Sequence, residues 1–167
     1  HGIIQLLIYI DRIEKGHILP DASLEILNET PTTARINGNW GFGYVVTTQA
    51  MDLAIRKAKE SNVGIISVFQ QSHIGRLATY SITAAQEGMI GFITADSGRT
   101  VKNVVPFGGK ESRLGTNPLC MAFPSNLPGP FCIDLATASV AKGKVDLAKQ
   151  RGESIPLGWI VDKNGRP

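Results

Sequence analysis

Residues 63–94, VGIISVFQQSHIGRLATYSITAAQEGMIGFIT, alternate between two kinds of secondary-structure pattern. The run Val63–Phe69 is apolar, rich in β-branched residues and bounded by turn residues, which predicts a strand. A helix is predicted from about Arg76 to Glu87, where Gly88 ends it, and Ile90–Thr94 is predicted as a second short strand. A strand, a loop, a helix and a strand in this order indicate an α/β fold.

Upstream of this unit the sequence predicts two helices and two strands. One helix runs from about Gly43 to Ser61, because apolar residues recur near every 3.6 positions and charged residues occupy the opposite face. Thr33–Ile36 is predicted as a strand, Leu24–Leu27 as a further short one, and the glycine-rich run 37–43 as a turn. Residues 3–15 are apolar at helical spacing and end before a glycine, which predicts the other helix.

Downstream of this unit a long loop at 96–118 leads into two predicted strands, Leu119–Phe123 and Phe131–Asp134. A Pro/Gly turn separates these strands, so they are expected to be neighbours in one sheet. A helix over 139–150 and a final strand over 158–162 complete the predicted pattern.

The segment 17–31 is rich in Pro, Asn and Asp and is the predicted domain boundary. Residues 1–30 are interpreted as the end of a helical N-terminal region with its linker. Residues 31–167 are interpreted as an α/β domain that is incomplete at its C-terminus. Because the chain starts at His1 in a helix-like run and stops in a turn-like one, we expect the central part of a longer protein.

Composition argues against several classes of protein. The 167 residues are 43% hydrophobic and 19% charged with a formal net charge of +3, as in a globular domain. The positive charges are dispersed, which argues against nucleic-acid binding, and no apolar run approaches the ~20 residues of a membrane span. No signal peptide is visible, so we expect a cytoplasmic protein. Cys120 and Cys132 lie among apolar residues and lack metal-type spacing, so they are predicted to be buried thiols rather than a disulfide or a metal site.

Three features suggest binding chemistry, and each has an ordinary structural alternative. The run Gly115-Thr116-Asn117-Pro118 would let backbone amides approach an anion, but the same residues form ordinary turns. His73 follows a predicted strand, where α/β proteins place ligand sites, and it could either transfer a proton or cap a helix. Asp134 ends a strand and could accept a hydrogen bond from a cofactor or cap the next helix.

Two lysines and the lack of familiar nucleotide motifs complete this picture. Lys142 and Lys144 could contact phosphates, although two lysines on such a helix more often form its solvated face. The sequence contains neither a G-x-G-x-x-G run after a strand nor a Walker A run. A dinucleotide would therefore bind here on another scaffold.

The order of short motifs along the whole chain adds a further signal. These motifs are His1-Gly2, Asn37-Gly38-Asn39, Ser72-His73 with Gly75, Asp96-Ser97, Pro106 with Gly108-Gly109-Lys110-Glu111, Gly115-Thr116-Asn117-Pro118, Asp134-Leu135-Ala136-Thr137, Lys142-Gly143-Lys144 and Ile155-Pro156 with Gly158-Trp159. In this order they resemble the malate/L-lactate dehydrogenase family of the second type. That family includes ureidoglycolate and sulfolactate dehydrogenases and diketogulonate reductase, and it is distinct from the Rossmann lactate and malate enzymes.

The resemblance implies an oxidoreductase that uses NAD or NADP to interconvert 2-hydroxy acids and 2-oxo acids. It also implies a homodimer and a mixed-sheet, non-Rossmann NAD(P)-binding domain preceded by part of a helical N-terminal segment. His1 and His73 match the two motif histidines of the family, and the resemblance leaves open which of them transfers the proton. Positions that line the cofactor in the family match Ser97, Thr116, Asn117, Cys132, Asp134, Leu135, Ala136, Thr137 and Lys144.

One substrate-side position departs from the family pattern. Members usually carry an arginine four residues after the first motif histidine, and its guanidinium suits bidentate capture of a carboxylate. Gln5 occupies this position and supplies hydrogen bonds without a charge. A second interpretation is therefore a catalytically impaired fragment or homologue that acts as a nucleotide-binding or interaction module.

Overall fold

The computed structural model describes residues 4–96 and 102–167. These residues form four helices and six strands, and the strands make two three-stranded sheets. The alternation of helices and strands confirms the α/β class predicted from the sequence. In chain order the elements are α1 (Ile4–Glu14), β1 (Glu25–Glu29), β2 (Thr33–Gly41), α2 (Gly43–Ser61), β3 (Ile65–Gln71), α3 (Ala78–Gln86), β4 (Gly91–Thr94), β5 (Pro118–Phe123), β6 (Phe131–Ala136) and α4 (Lys142–Arg151).

The first sheet contains β1, β2 and β3 and is mixed. β1 pairs with β2 in antiparallel orientation, whereas β2 and β3 are parallel, with Ile36 opposite Val68. Parallel neighbours need a crossover connection, and α2 supplies it. Because side chains alternate along a strand, β2 buries two residues, Ala34 and Ile36, against α2 and exposes Arg35 between them. The core of this layer consists of Ala34, Ile36, Ala50 and Leu53, with Leu24, Ile66 and Val68 partly buried around it.

The second sheet contains β4, β5 and β6 and is antiparallel throughout. α3 packs on this sheet and also contacts α2, so this helix joins the two layers. At its start, Leu77 and Ala78 pack against Cys120 of β5 in a small apolar core. The segment between β3 and α3 therefore connects the end of the first sheet with the core of the second.

The predicted turn at 37–43 is partly wrong, because β2 continues to Gly41. The strand is irregular there: its register with β3 shifts between Asn37 and Gly41. Asn39 and Trp40 have positive φ angles, and the Asn39 backbone N–H donates to the Asn37 side chain at 3.0 Å. The glycines and asparagines thus form a bulge within the strand rather than its end.

The predicted strand over 158–162 is wrong, because these residues form turns and bends. Gly158 has a φ of +87°, which breaks an extended run, and the Trp159 N–H donates to the Pro156 carbonyl at 3.3 Å. The Asp162 carboxylate accepts the backbone N–H groups of Asn164 and Arg166, which closes a second turn. Hydrogen bonds within this segment therefore take the place of strand pairing.

α1 exposes its apolar side chains and turns polar and aromatic ones inward. Gln5, Tyr9 and Arg12 are spaced three or four residues apart and are half-buried. By contrast, Leu7 is 75% exposed and Ile10 is 44% exposed. Tyr9 and Arg12 are thereby directed toward the loop that follows β3.

The domain boundary predicted after residue 30 stays a prediction. β1 lies before this boundary and pairs with β2, which lies after it. No helix in the described part of the chain combines the length and the hydropathy needed to cross a bilayer.

We predict that Gly75→Ala destabilises the fold more than Gly88→Ala. Both glycines have a positive φ, +71° and +78°, so alanine costs about 1–2 kcal/mol of backbone energy at either position. A Cβ at Gly75 would also overlap the ring of Tyr44, whereas a Cβ at Gly88 would meet nothing within 4 Å. Overpacking of this kind lowers the free energy of unfolding by about 1–3 kcal/mol more. Urea unfolding of the full-length protein measures the difference, and equal losses of stability in the two variants would contradict the overlap.

Candidate active site

His73 lies just beyond the end of β3, at the start of the segment that leads into α3. The preceding residue, Ser72, fixes this position with two hydrogen bonds. Its N–H donates to the Gly41 carbonyl at 3.3 Å, and its hydroxyl accepts the Gly43 N–H at 2.7 Å. The second bond satisfies an N–H in the first turn of α2, which has no cap from its own N-cap residue, Phe42. The ends of two neighbouring strands are therefore tied together directly beside the histidine.

Gly43 makes this arrangement possible. A Cβ at this position would overlap the carbonyl oxygens of Ser72 and His73, so only glycine allows the two backbones to lie so close. The end of the glycine-rich run, which was predicted to be a turn, therefore lets the start of α2 pack against the loop that carries His73.

An aromatic cluster holds the imidazole of His73. The Tyr9 hydroxyl and His73 Nδ1 share a hydrogen bond of 2.7 Å, and the Tyr9 and Tyr44 hydroxyls lie 3.4 Å apart. The Tyr9 ring meets Phe42 edge-to-face with centroids 5.3 Å apart, and Tyr44 stacks on Phe42 at 5.6 Å. Tyr9 therefore engages the Nδ1 atom of the imidazole ring.

Burial and charge set the protonation of this cluster. Burial lowers the pKa of His73 below its ordinary value of 6.5, and the positive charge of Arg12 lowers that pKa further. Burial, with the Tyr44 hydroxyl nearby, raises the pKa of Tyr9, so its phenol stays protonated. His73 is therefore a neutral imidazole at pH 7, and Tyr9 is a neutral hydrogen-bonding partner for it.

Tyr80 secures the segment between His73 and α3. Its hydroxyl donates to the Ile74 carbonyl at 2.5 Å, and its ring is buried in the first turn of α3. Burial raises the pKa of Tyr80 to about 12, with the Tyr44 hydroxyl a second cause, so this phenol also remains a donor. The backbone next to His73 is thus bonded to the helix that follows it.

A second group of predicted residues lies at the start of β5 and at the end of β6. Asn117 has a φ of +37°; its amide N–H donates to the Gly115 carbonyl at 2.8 Å, and its amide oxygen accepts the Thr137 hydroxyl. The Gly115 N–H donates to the Asp96 carboxylate at 3.0 Å. Side-chain hydrogen bonds therefore hold the run 115–118, and it brings Asn117 and Thr137 together.

Asp134 caps a helix, but a different one from the helix suggested by the sequence. Its carboxylate accepts the Ala78 N–H at 2.9 Å and so caps α3, which precedes it in the chain. This bond links the predicted cofactor strand β6 to the helix that follows His73. His73 and Ala78 are five residues apart, so their Cα atoms lie no more than about 18 Å from each other.

The other predicted residues are distributed as follows. His1 and Ser97 lie outside the described residues. Gln5 is half-buried on α1, one turn before Tyr9, and Thr116 and Leu135 are exposed. Ala136 is half-buried at the end of β6. Cys132 of β6 faces Cys120; Cys120 is buried as predicted, whereas Cys132 is only half-buried.

The two lysines of α4 differ in their contacts. Lys142 forms an ion pair with Asp146 at 2.5 Å between exposed side chains, as expected of a solvated helix face. Lys144 is exposed and forms no ion pair within the described residues. Only Lys144 therefore presents an uncompensated charge at this end of α4.

Sequence reasoning missed Tyr9, Arg12 and Tyr44 as members of the site. The signal for the first two was available: Gln5, Tyr9 and Arg12 follow helical spacing along one face of α1. This spacing places the three residues on one face but does not show that Tyr9 contacts His73, which lies 64 residues further along the chain.

Comparison with known proteins identifies the family. The profile of the malate/L-lactate dehydrogenase family matches residues 1–167. The L-sulfolactate dehydrogenase of Methanocaldococcus jannaschii is 42% identical over 167 residues, which are 100% of this chain and 47% of that protein. The malate dehydrogenase of Pyrococcus abyssi is 41% identical over 165 residues, 99% of this chain and 44% of that protein. The crystal structure of malate dehydrogenase from Entamoeba histolytica matches with a TM-score of 0.93 at 39% identity, over 100% of this chain and 46% of that one.

This chain therefore belongs to the malate/L-lactate dehydrogenase family. It spans about half the length of the curated relatives it matches. The family inferred from the order of the motifs is confirmed, and so is the mixed α/β architecture, because the structural match covers the whole chain at high similarity.

We predict that Arg12→Gln raises the pKa of His73. The substitution removes the positive charge that disfavours the imidazolium, while the burial of the ring remains. An NMR titration of the His73 ring protons in the full-length protein measures this pKa. Lys15→Gln is the matched control, since Lys15 directly follows α1 and pairs with Asp11 instead. Equal titration midpoints in wild type and Arg12→Gln would show that Arg12 does not act on His73.

Proposed function

We propose that the protein is an NAD(P)-dependent dehydrogenase that interconverts 2-hydroxy acids and 2-oxo acids, with His73 as its acid/base group. The observation that carries this proposal is the bond between Tyr9 and His73 at the end of β3. It fixes a half-buried imidazole through Nδ1 on the segment that Asp134 joins to the predicted cofactor strand. Family relatives include enzymes named malate, L-sulfolactate and ureidoglycolate dehydrogenases, which act on acids of this class.

The residues around β5 and β6 suit a nicotinamide nucleotide. Asn117 and Thr137 supply an amide and a hydroxyl, which are uncharged groups able to bond a carboxamide or a ribose. We propose that Ser97, Thr116, Asn117 and the residues of β6, Cys132, Asp134, Leu135 and Ala136, together with Thr137, line the nucleotide. When bound, the nucleotide would supply or accept a hydride.

Lys144 is proposed to bind a nucleotide phosphate. It lies in the first turn of α4, where the helix dipole disfavours a cation and favours an anion. The α4 N-cap residue, Ala141, has no side chain to satisfy the first N–H groups. A phosphate at this end of the helix would pair with Lys144 and accept those hydrogen bonds.

The proton chemistry follows from the tautomer of His73. With a proton on Nδ1, His73 donates to the Tyr9 oxygen, and the Tyr9 hydroxyl is directed to Tyr44. We propose that Nε2 then accepts the hydroxyl proton of a 2-hydroxy acid. In the reverse direction the imidazolium returns this proton from Nε2 to the oxygen of the 2-oxo acid. Tyr9 acts as a positioning residue, because it holds the tautomer and does not exchange the proton itself.

The substrate carboxylate is proposed to lie near Gln5. This residue is one helical turn from Tyr9 on the half-buried face of α1. An amide bonds a carboxylate less strongly than a guanidinium does. We therefore propose that a second protein group helps Gln5 to hold the substrate carboxylate.

Titration of the full-length protein with NADH and with NADPH, followed by turnover with a panel of 2-oxo acids, tests the proposal. Quenching of protein fluorescence gives the Kd of each nucleotide, and their ratio identifies the preferred one. Oxidation of the bound nucleotide by at least one 2-oxo acid is expected. Binding without turnover across the panel would favour the nucleotide-binding module, for which the neutral Gln5 is the specific observation. Absence of binding would contradict both functions.

We predict that His73→Asn lowers kcat by roughly 10²–10⁴-fold, the usual contribution of acid/base catalysis. Asparagine can still bond Tyr9 but cannot transfer a proton, so the Kd for reduced nucleotide should stay unchanged. His17→Asn, at an exposed histidine after α1, is the control and should keep full activity. His1→Asn is measured in parallel. A loss in His1→Asn with full turnover in His73→Asn would assign the proton to His1 instead.

Gln5→Arg is expected to lower the KM for a 2-oxo acid about tenfold or more. A charged hydrogen bond to a carboxylate contributes about 1.5–3 kcal/mol, more than a neutral one. Gln5→Met has a similar length without charge or hydrogen bonds and should raise KM. Steady-state kinetics at saturating nucleotide give both values. An unchanged KM in both variants would mean that another residue holds the carboxylate.

The homodimer and the cytoplasmic location implied by the resemblance stay predictions. The exposed apolar face of α1, with Leu6, Leu7 and Ile10, supports burial of this helix against further protein. Sedimentation of the full-length protein tests the dimer, and a monomer at micromolar concentration would contradict it.

A further inference from the structure

The two cysteines of the chain lie side by side in the second sheet. Cys120 of β5 and Cys132 of β6 have their Sγ atoms 3.6 Å apart. In the antiparallel register Cys120 is opposite Asp134, and Cys132 is opposite Ala122, so the two cysteines are diagonal neighbours on one face.

The two thiols differ in access. Cys120 is fully buried under the start of α3, whereas Cys132 is half-buried on β6. Burial also raises the pKa of Cys120 to about 11, which disfavours its thiolate. An oxidant therefore reaches Cys132 first, and Cys120 is placed to react with the product.

We propose that Cys120 and Cys132 form an oxidation-sensitive dithiol that closes to a disulfide when a peroxide reaches Cys132. The Cys132 thiolate attacks the peroxide, the O–O bond breaks, and Cys132 becomes a sulfenic acid. The Cys120 thiol then attacks this sulfur, the S–O bond breaks, and a water molecule leaves as the S–S bond forms. In total two thiols and one hydrogen peroxide give one disulfide and two waters.

Closure requires movement of a strand. The sulfur atoms must approach from 3.6 Å to about 2.05 Å, and diagonal positions are farther apart than directly opposed ones. Within the described residues β6 pairs only with β5, and the proposal requires β6 to shift relative to that strand. The shift moves Asp134, whose carboxylate caps α3 at Ala78.

The consequence for binding rests on the proposed function. β6 carries the residues proposed to line the nucleotide, so closure of the disulfide distorts that surface. We expect the oxidised protein to bind reduced nucleotide about tenfold or more weakly, and a reductant to restore the original Kd.

The test treats the native full-length protein with hydrogen peroxide, blocks the remaining thiols and maps its peptides without reduction. A linked pair of peptides containing Cys120 and Cys132 is expected, and it disappears after treatment with dithiothreitol. Circular dichroism confirms that the treated protein is still folded. Overoxidation of Cys132 to sulfinic acid with Cys120 unchanged, or linkage only after unfolding in urea, would overturn the proposal.

Two matched variants define the order of events. In Cys120→Ser, Cys132 should be trapped as a sulfenic acid by dimedone, because its resolving partner is missing. In Cys132→Ser, Cys120 should remain a thiol under the same treatment. A sulfenic acid trapped at Cys120 instead would reverse the assigned order and overturn the proposal. Peptide mapping does not depend on nucleotide binding, so a failure of the proposed function and a failure of this inference give different results.

Discussion

The close approach of Gly43 to the backbone of Ser72 and His73 is the constraint on which the site depends. It brings the first turn of α2 against the loop after β3, and the Ser72 hydroxyl completes the contact by accepting the Gly43 N–H at 2.7 Å. This contact joins the ends of two parallel strands, where the crossover helix starts. With any side chain at position 43 the loop would be displaced, and His73 would lose its place beside Tyr9.

From this contact the remaining interactions form a continuous path to the second sheet. Tyr9 bonds the imidazole, Tyr80 bonds the carbonyl one residue later, and Asp134 caps the helix that follows. Each of these hydrogen bonds is partly buried, where a polar group without a partner would cost free energy. The histidine and the strand proposed to bind the nucleotide are therefore parts of one connected structure.

Much of this could be predicted from the sequence, and the failures have physical reasons. The periodicity of residues 43–61 identified α2, and Gly88 marked the end of the helix predicted over 76–87, which corresponds to α3. The bulge in β2 and the turns at 158–162 depend on positive φ angles and on bonds within the loop, which periodicity does not record. His73 was identified by its place after a strand, whereas Tyr9 was missed because its contact spans 64 residues. Likewise, Asp134 was expected to cap the next helix, whereas it caps α3, whose first residue lies 56 residues earlier.

The cap from Asp134 bears on how sequence variation in this family is interpreted. An oxygen at position 134 is needed to satisfy the first N–H of α3, whatever chemistry takes place nearby. Evolution would therefore retain aspartate, asparagine, serine or threonine there in members that differ widely in substrate, and even in members that have lost activity. Preservation of this side chain among homologues is evidence for an intact helix, and it becomes evidence for catalysis only where His73 is preserved with it.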